Sequence, residues 1–419
     1  MPPKPRTNGK LQPAAGGLYL SLRALEGLKS YAYKPSGYTV LDDLHQPVWN
    51  YITNNWLPLW LAPNLITLMG LWALLAAYAL GVKYLPEFAG PAPAWLPAVN
   101  AAAVFFYLHM DCLDGKQARR TKNSSPLGQL FDHGCDAMAV HLVLMGVACT
   151  LQIPQGWFLI VSTFCVFGPW LLAHWEEYHT GIMVYGNGYF GVTEANYAVV
   201  MLHLWGFLMG QQGWLWRPFA VLARSSLVQA VLPQFAVSLL AQLQLNQLVV
   251  SSVCSLAVLT GGQQILRVFR LAGSKQLEHT TLPKREHGHK QLGKAAAAAH
   301  IAQLALFFAL GAAMLGVAAP QQLGQARVAN ATFGILYALQ ATKLIMAHMS
   351  KEPYEVTAWP LVLLAVQVAN HVVPFADAAL LNYSVCAVSL VLYLHYVVSM
   401  VREICAFLCI PCLTVRKVD

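Results

Sequence analysis

The stretch from Asp111 to Asp136 reads DCLDGKQARRTKNSSPLGQLFDHGCD and lies between two long apolar segments. It contains four carboxylates, at Asp111, Asp114, Asp132 and Asp136. An ionised carboxylate within or beside an apolar, membrane-depth segment is costly and usually marks a functional site. The stretch therefore predicts two membrane helices with a polar site where they meet.

The spacing of these carboxylates predicts a single cluster. Asp111 and Asp114 are three residues apart and Asp132 and Asp136 four apart, so each pair shares one face of a helix. Carboxylates gathered by a helical hairpin repel each other unless cations neutralise them, and hard divalent cations with oxygen ligands are the natural partners. Without paired histidine or cysteine ligands, magnesium or manganese is favoured over zinc. Two such ions could hold a diphosphate.

Cationic side chains lie between the two pairs, in a predicted basic loop: Lys116, Arg119, Arg120 and Lys122. Guanidinium groups bind phosphate oxygens bidentately, and Gly115 and Gly128 at the ends of this loop would allow a ligand to approach closely. Acids for metal and bases for phosphate together indicate phosphoryl transfer. The alternative is that each aspartate is a helix-end residue at the membrane interface and the cations are topology signals.

The whole stretch fits the pattern D-x2-D-G-x2-A-R-x8-G-x3-D-x3-D. The eight positions that match are Asp111, Asp114, Gly115, Ala118, Arg119, Gly128, Asp132 and Asp136. This pattern resembles the signature of the CDP-alcohol phosphotransferases. Chain length and the segments LAPNLITL, HWEEYHTG and VTE further resemble the eukaryotic choline/ethanolamine phosphotransferases, over most of the chain from about Lys34 onward.

The resemblance implies an all-α polytopic membrane protein with the CDP-alcohol phosphotransferase fold. It implies transfer of phosphoethanolamine or phosphocholine from CDP-ethanolamine or CDP-choline to diacylglycerol, with CMP as the second product. It also implies two Mg²⁺ or Mn²⁺ ions, a location in the endoplasmic reticulum or Golgi, and a homodimer among membrane lipids.

The resemblance also assigns residues to roles. Asp111 would bridge two metals, Asp114 and Asp132 would each hold one, and Asp136 would complete the second. The residues that would contact the substrate are Asn64, Gly115, Ala118, Arg119, Gly128 and Gln129. Gln129 departs from the acid expected at this position in many relatives. His133 resembles the proton acceptor of the eukaryotic branch, with Asp136 as the alternative.

Two further acidic segments lie at the predicted cytoplasmic face. Glu194 stands in the apolar beginning of the fifth predicted span, so it is a candidate for orienting substrate or accepting a proton. The HWEEYHTG segment holds His174, Glu176, Glu177 and His179, which are candidates for metal or headgroup contacts or simply a solvated helix end.

Composition agrees with a membrane protein. Hydrophobic residues make up 57% of the 419 positions and charged residues only 11%, and apolar runs recur at lengths able to cross a bilayer. The nine cysteines lack the paired spacing of an extracellular disulfide framework. Cytoplasmic loops and anionic headgroups account for the net charge of +8, so we expect no nucleic-acid partner.

About ten transmembrane helices are predicted. They run near 61–82, 92–113, 129–151, 157–175, 192–210, 246–267, 295–318, 328–348, 358–379 and 384–411. The predicted divisions are a disordered cytoplasmic tail (1–17), an amphipathic interfacial lead-in (18–55), a catalytic core (56–210) with the motif at 111–136, a lumenal or interfacial excursion (211–245), C-terminal helices (246–411) and a cytoplasmic tail (412–419). An extra span within 211–245 is the alternative.

Charge asymmetry orients the chain. With both termini cytoplasmic, most Lys and Arg residues fall on the cytoplasmic side, including those of the 268–294 loop. The opposite side keeps only Lys83, Arg217, Arg224 and Arg327. The positive-inside rule therefore places the aspartates at the cytoplasmic face.

Three other functions share some of these features. One is a relative that uses inositol or glycerophosphate, although such chains typically have about half as many spans. Another is an aspartate-rich prenyltransferase acting on a diphosphate lipid, whose motifs lack the A-R-x8-G element. A cation transporter with intramembrane carboxylates is the third, but such sites lie near the bilayer midplane.

Overall fold

The structure is a computed structural model that describes residues 17–31, 35–36, 38–184, 186, 188–271, 293–318, 324–355 and 357–416. Nearly all of the predicted N-terminal tail, most of the 268–294 loop and the last three residues lie outside the described residues. Within the described residues the chain is almost entirely helical. The only strands there are β1 (Pro35–Ser36) and β2 (Met183–Val184), which pair in parallel.

The helices of the first part of the chain carry the motif. They are α1 (Leu22–Lys29), α2 (Val40–Asn55), α3 (Pro63–Tyr84), α4 (Leu96–Arg120), α5 (Pro126–Thr150), α6 (Trp157–Thr180) and α7 (Val192–Met209). The second part supplies α8 (Ser226–Val231), α9 (Gln234–Gln242), α10 (Leu245–Leu271), α11 (Lys294–Ala318), α12 (Gln325–Ser350), α13 (Ala358–Val372) and α14 (Ala378–Leu408).

Each of the ten predicted spans overlaps one helix, although the span predicted near 358–379 holds only a 15-residue helix. Seven helices in the described part of the chain are long and apolar enough by themselves to cross a bilayer: α3, α4, α5, α6, α10, α11 and α14. The other three are α7, α12 and the 15-residue α13. Almost every residue of α12 is buried, since α5, α6, α11 and α14 surround it. Its small residues allow this close packing, as in other membrane helix interfaces.

The region 211–245 forms short helices only. Two 3₁₀ turns, Gln211–Leu215 and Leu222–Arg224, precede α8 and α9, which have six and nine residues. A helix needs about 20 residues to cross the hydrocarbon core, so neither can span it. Leu227 and Phe235 are 72% and 75% exposed, as expected for side chains that contact lipid.

The motif is a helical hairpin with a short link, and one prediction about it is wrong. Helix α4 continues to Arg120, so most of the predicted basic loop is helical and only five residues, 121–125, connect the two helices. Lys122 has a positive φ of 57°, which turns the chain at the helix end. Ser125 then caps α5 by accepting a hydrogen bond from the Gly128 amide at 3.2 Å, and Pro126 occupies the first turn, where its missing N–H costs nothing.

Helix α2 lies beside this hairpin and forms the second half of the predicted amphipathic lead-in (18–55). Thr39 and Asp42 form a capping box at its start. Its exposed face carries Val40 and Leu44, which are 67% and 69% exposed, whereas Trp49 on the other face is buried. This pattern is typical of a helix that lies along a membrane surface.

Candidate active site

Three of the four motif carboxylates converge. One oxygen from each of Asp111, Asp132 and Asp136 lies within 4.8 Å of the others. The fourth, Asp114, is not part of this group, although it stays within electrostatic reach of Asp132 and Asp136. Its Oδ2 accepts a hydrogen bond from the Thr67 hydroxyl of α3, and the residue is 7% exposed. The predicted cluster therefore forms from three aspartates with Asp114 beside it.

Two hydroxyl groups orient these carboxylates. Besides Thr67, Tyr107 donates its phenolic hydrogen to Asp136 Oδ1. Neither Thr67 nor Tyr107 is among the site residues predicted from the sequence. Tyr107 precedes Asp111 by four positions on α4, and Thr67 follows Asn64 by three on α3, so each shares a helix face with a predicted site residue. That spacing is the signal that could have found them.

The cluster fits a hard divalent cation. Its ligand atoms are all carboxylate oxygens, the donors that magnesium and manganese prefer. Asp132 Oδ1 is buried and has no hydrogen-bond partner among the residues that the structure describes. Such an atom is expensive to bury unpaired, and a cation beside it would satisfy it.

Two of the four predicted phosphate-binding cations have other partners. The Lys116 ammonium donates to Gln46 Oε1 at 2.5 Å and to Asn50 Oδ1 at 2.8 Å, both on α2. The Arg120 guanidinium donates to main-chain carbonyls at and beyond the end of α2. Only Arg119 and Lys122 keep exposed side chains. Lys116 and Arg120 therefore fix α2 to the motif helix.

The Arg120 contacts satisfy carbonyls that a helix end leaves without partners. Its Nη1 lies 2.5 Å from Thr53 O and 2.7 Å from Leu57 O, and its Nη2 lies 3.1 Å from Asn54 O. A cation at a helix C-terminus is also favoured by the helix dipole. This is a structural role at the edge of the site.

The remaining predicted substrate residues lie around the link between α4 and α5. A Cβ atom on Gly128 would lie 3.6 Å from Asn64 Oδ1, so α3 and α5 approach closely there. At Gly115 the corresponding neighbour is Arg119 Nη1, at 3.5 Å. The Ala118 carbonyl accepts a hydrogen bond of 2.8 Å from the Asn123 amide in the link.

Segments near both ends of the described chain contact the rim of the site, that is, the predicted substrate residues around the link between α4 and α5. These contacts are not predictable from the sequence. Gln129 Nε2 donates to the Tyr31 hydroxyl at 3.0 Å. Asn64 Nδ2 donates to the Cys412 carbonyl at 2.9 Å. Partners so far apart in sequence leave no local pattern by which to find them.

His133 contacts α6. On α5 it lies about 100° around the helix axis from Asp132 and three residues before Asp136. The His133 ring is buried and packs edge-on against His174 of α6, with ring centroids 5.3 Å apart. His174 and His348 lie 3.7 and 3.6 Å from the carboxylate of Glu177. Histidines and an acid thus form a second polar cluster behind α5.

Of the other polar residues of HWEEYHTG, Glu176 is also buried and His179 is half-buried. Glu176 accepts two hydrogen bonds from Arg267 of α10, at 2.5 and 2.7 Å. His179 Nε2 lies 3.2 Å from His300 Nδ1 of α11. The segment therefore joins α6 to its neighbouring helices.

Glu194 lies in the first turn of α7. Its Oε2 accepts a hydrogen bond from the Gly191 amide at 2.9 Å, which caps the helix. The neighbouring Thr193 hydroxyl donates to Asp42 Oδ1 at 2.5 Å, so α7 is tied to α2. The geometry accounts for Glu194 as a helix cap at the cytoplasmic-side end predicted for this span.

The fold and site define a polytopic helical membrane protein with a carboxylate centre suited to a divalent cation. Comparison with known proteins agrees: residues 60–222 match the CDP-alcohol phosphatidyltransferase family. An uncharacterised CDP-alcohol phosphatidyltransferase class-I family protein 3 of Dictyostelium discoideum is 30% identical over 406 residues, which cover 95% of this chain and 98% of that protein.

Two named relatives are also similar. Choline/ethanolaminephosphotransferase 2 of Arabidopsis thaliana is 28% identical, over 95% of this chain and 99% of its own length. Cholinephosphotransferase 1 of Homo sapiens is 35% identical over 197 residues, 46% of this chain and 48% of that protein. The protein belongs to the CDP-alcohol phosphatidyltransferase family, and the resemblance inferred from the motif is confirmed.

Proposed function

We propose that this protein transfers phosphoethanolamine, phosphocholine or both from the CDP-alcohol to 1,2-diacylglycerol. The products are phosphatidylethanolamine or phosphatidylcholine and CMP. The observation that carries the proposal is the convergence of Asp111, Asp132 and Asp136 within 4.8 Å on two membrane helices. The Arabidopsis relative named for the choline/ethanolamine reaction is similar over 95% of this chain, which supports the substrate class.

The four motif aspartates, Asp111, Asp114, Asp132 and Asp136, are proposed to be the residues that would hold two Mg²⁺ or Mn²⁺ ions. When bound, such ions neutralise the diphosphate and polarise phosphorus toward attack. Thr67 and Tyr107 hold the carboxylates of Asp114 and Asp136 in position. The exposed guanidinium of Arg119 is proposed to bind the phosphate oxygens of the CDP group.

The diacylglycerol hydroxyl is proposed to attack the β-phosphorus directly. A new P–O bond forms to the diacylglycerol oxygen, and the bond from the β-phosphorus to the bridging oxygen breaks, so that CMP leaves with that oxygen. The hydroxyl proton passes to His133 or Asp136. Of the two, Asp136 lies in the carboxylate group whereas His133 lies against α6, which favours Asp136. Glu194 is proposed to orient substrate through its place at the start of α7.

The proposed setting is the endoplasmic reticulum membrane, or the Golgi, with the aspartates facing the cytoplasm. Seven membrane-length apolar helices support an integral membrane protein, and the distribution of Lys and Arg supports the orientation. CDP-alcohols would be available on that side, and diacylglycerol would enter sideways from the bilayer. A homodimer is part of the proposal, and crosslinking in native membranes tests it.

The deciding experiment supplies purified protein with diacylglycerol and, in parallel, CDP-choline or CDP-ethanolamine. Release of CMP and formation of phospholipid are measured with Mg²⁺, with Mn²⁺ and with excess EDTA. We expect diacylglycerol-dependent turnover that EDTA abolishes, and the ratio of the two donors identifies the headgroup. If neither donor is used with either metal, the proposed reaction is wrong.

A matched pair of variants tests the site. Asp132→Asn is expected to abolish turnover while preserving expression, because it removes the charge of the buried, unpartnered carboxylate oxygen. Asp43→Asn, in the first turn of α2 and outside the motif, serves as the control and should retain activity. Near-normal turnover of Asp132→Asn would contradict the assignment of Asp132 as a metal ligand.

A further inference from the structure

Helix α2 carries an exposed apolar stripe along one side. Its members recur at helical spacing and are each at least 50% exposed: Val40, Leu44, Val48 and Tyr51. At about 100° per residue they fall within about 80° of one another around the helix axis. Trp49 lies on the other side of the helix and is buried. We call the four exposed residues the α2 stripe.

The chain that follows α2 places the stripe at the membrane surface. Only residues 56–62 separate the end of α2 from Pro63, where the membrane-length helix α3 begins. Trp56 and Trp60 in this link are 69% and 73% exposed, and tryptophan is enriched at the level of the lipid headgroups. The stripe therefore continues an apolar surface that already meets the bilayer.

The stripe differs in charge from helices that select anionic lipids. Helix α2 contains no Lys or Arg, and its exposed charged side chain is Asp43. The other titratable groups of α2 are turned to α7, where Asp42 accepts from the Thr193 hydroxyl at 2.5 Å and His45 contacts a tyrosine hydroxyl at 2.7 Å. Lys116, which reaches α2 from α4, is half-buried and donates to two side-chain amides of α2. No cation of α2 itself is thus present to attract an anionic headgroup.

The exposed cations nearest in the chain to these contacts, Arg119 and Lys122, belong to the end of α4 and the link beyond it. Membrane binding by an amphipathic helix combines burial of apolar area with attraction to anionic lipids. Since α2 lacks the second contribution, its binding depends on how easily apolar side chains enter between headgroups. Lipids with small headgroups leave such openings, and diacylglycerol, which has no phosphate headgroup, leaves the most room.

Helix α2 is also fixed to the motif helix. Besides the contacts of Lys116 and Arg120, Gln117 Nε2 donates to the Pro58 and Leu61 carbonyls in the link after α2, at 2.9 and 3.0 Å. All three side chains belong to the part of α4 that follows its two aspartates. A change in how deeply α2 enters the bilayer is therefore transmitted to α4.

We propose that the α2 stripe is a docking surface for an uncharged, loosely packed lipid surface of the kind that diacylglycerol creates. Docking of α2 holds α4, and with it the motif, in the position for turnover. A bilayer that contains the proposed acceptor thereby activates the protein. The lipid contact stands without the proposed reaction, whereas the effect on turnover rests on it.

Side-chain labelling of the full-length protein tests the lipid contact. The protein is reconstituted without CDP-alcohol in fluid bilayers of saturated phosphatidylcholine, alone, with diacylglycerol of the same chains, or with phosphatidylserine. Hydroxyl-radical labelling of Leu44 and Tyr51 is measured by peptide mass spectrometry against a soluble tyrosine peptide in the same sample. We expect diacylglycerol to protect both side chains and phosphatidylserine to have no effect.

Other outcomes would overturn this inference. Equal labelling in all three bilayers would show that lipid packing does not control the contact. Protection by phosphatidylserine alone would assign the stripe to an anionic surface. Protection in detergent that rises with protein concentration would assign it to a second copy of the chain.

Leu44→Gln is the decisive variant. Leucine and glutamine have similar helix propensities, so α2 should still form. Loss of one buried leucine side chain should lower the ratio of docked to free α2 about tenfold, which restores labelling of Tyr51. Leu227→Gln is the matched control, because Leu227 is 72% exposed on α8, on the opposite side of the bundle in the predicted topology. It should leave labelling of Tyr51 as in the wild type.

Turnover of the same samples after addition of CDP-alcohol tests the coupling to α4. We expect Leu44→Gln to reduce turnover several-fold and Leu227→Gln to leave it unchanged. If the wild type shows the expected protection but uses neither donor, the proposed reaction fails and the lipid contact stands. If Leu44→Gln leaves labelling of Tyr51 unchanged, the stripe is not the docking surface. If it restores labelling but turns over like the control, the coupling to α4 is wrong.

Discussion

The side-chain amide of Asn64 donates a hydrogen bond of 2.9 Å to the main-chain carbonyl of Cys412, 348 positions later in the chain. The Arg416 amide likewise donates to Asn123 Oδ1, at 2.9 Å, in the link between α4 and α5. The segment that follows α14 thus crosses the rim on which the substrate residues are proposed to lie. It occupies the side-chain donor of Asn64, to which the family resemblance assigns contact with the CDP-alcohol.

Removal of this segment is therefore expected to help the CDP-alcohol to bind. A chain that ends at Ile410 should show a KM for the CDP-alcohol about fivefold lower, the effect of one neutral hydrogen bond of about 1 kcal/mol. Steady-state kinetics with CDP-choline and CDP-ethanolamine measure the change. In the Asn64→Ala background the same truncation should have no effect, because the two groups interact directly.

The control for the truncation is Cys412→Ser, which retains the main-chain carbonyl and should leave KM unchanged. An unchanged KM after truncation, or an equal effect with and without Asn64, would show that the segment does not compete for this residue.

Thr67→Val is expected to weaken metal binding. The Thr67 hydroxyl donates to Asp114, and loss of a group that orients a metal ligand typically lowers metal affinity about 10–100-fold. Titration of activity with Mn²⁺ measures the shift, and saturating Mn²⁺ should restore most of the rate. Thr163→Val is the control, because that buried hydroxyl donates only to Leu159 O of its own helix. Equal metal dependence of the two variants would contradict the role of Thr67.

Substitutions of the two neighbouring arginines of α4 are expected to affect different properties, substrate binding in one case and stability in the other. Arg119→Ala is expected to raise KM for the CDP-alcohol about tenfold or more, as for loss of a charge-assisted hydrogen bond to phosphate. Arg120→Ala should instead lower the unfolding temperature, because it leaves the carbonyls at the end of α2 without their partner. Kinetics and thermal unfolding are measured on both. If Arg120→Ala raised KM strongly without lowering the unfolding temperature, the structural role assigned to Arg120 would be wrong.

Arg327 is expected to be a stability determinant. It is 4% exposed, donates to the Gly81, Leu85 and Pro86 carbonyls at the end of α3, and lies over the Phe88 ring at 3.8 Å. Arg327→Met should cost about 2–4 kcal/mol of folding free energy, because several buried carbonyls lose their donor at once. Thermal unfolding in detergent measures this.

Arg224→Met provides the comparison for Arg327, since Arg224 is exposed on the same side of the bundle in the predicted topology. It should leave the unfolding temperature within error of the wild type. Similar losses for both variants would mean that the Arg327 contacts add nothing specific.

The sequence by itself determined those features of the structure that depend on local periodicity. Apolar runs predicted the ten helices that correspond to the spans, seven of them of membrane length, and the i,i+3 and i,i+4 spacing of the motif placed carboxylates on facing helices. The fixed spacing of eight motif residues within 26 positions also identified the protein family. This was possible because a helical hairpin is specified by residues that are close in the chain.

Only the tertiary structure decided which partner each polar side chain takes. Asp114 pairs with Thr67, Lys116 with α2, Asn64 with Cys412, and Arg327 with the end of α3, across separations of 47 to 348 residues. Such pairings arise because a polar group buried in a membrane bundle must find a partner in whichever helix packs beside it, and no local pattern encodes that neighbour.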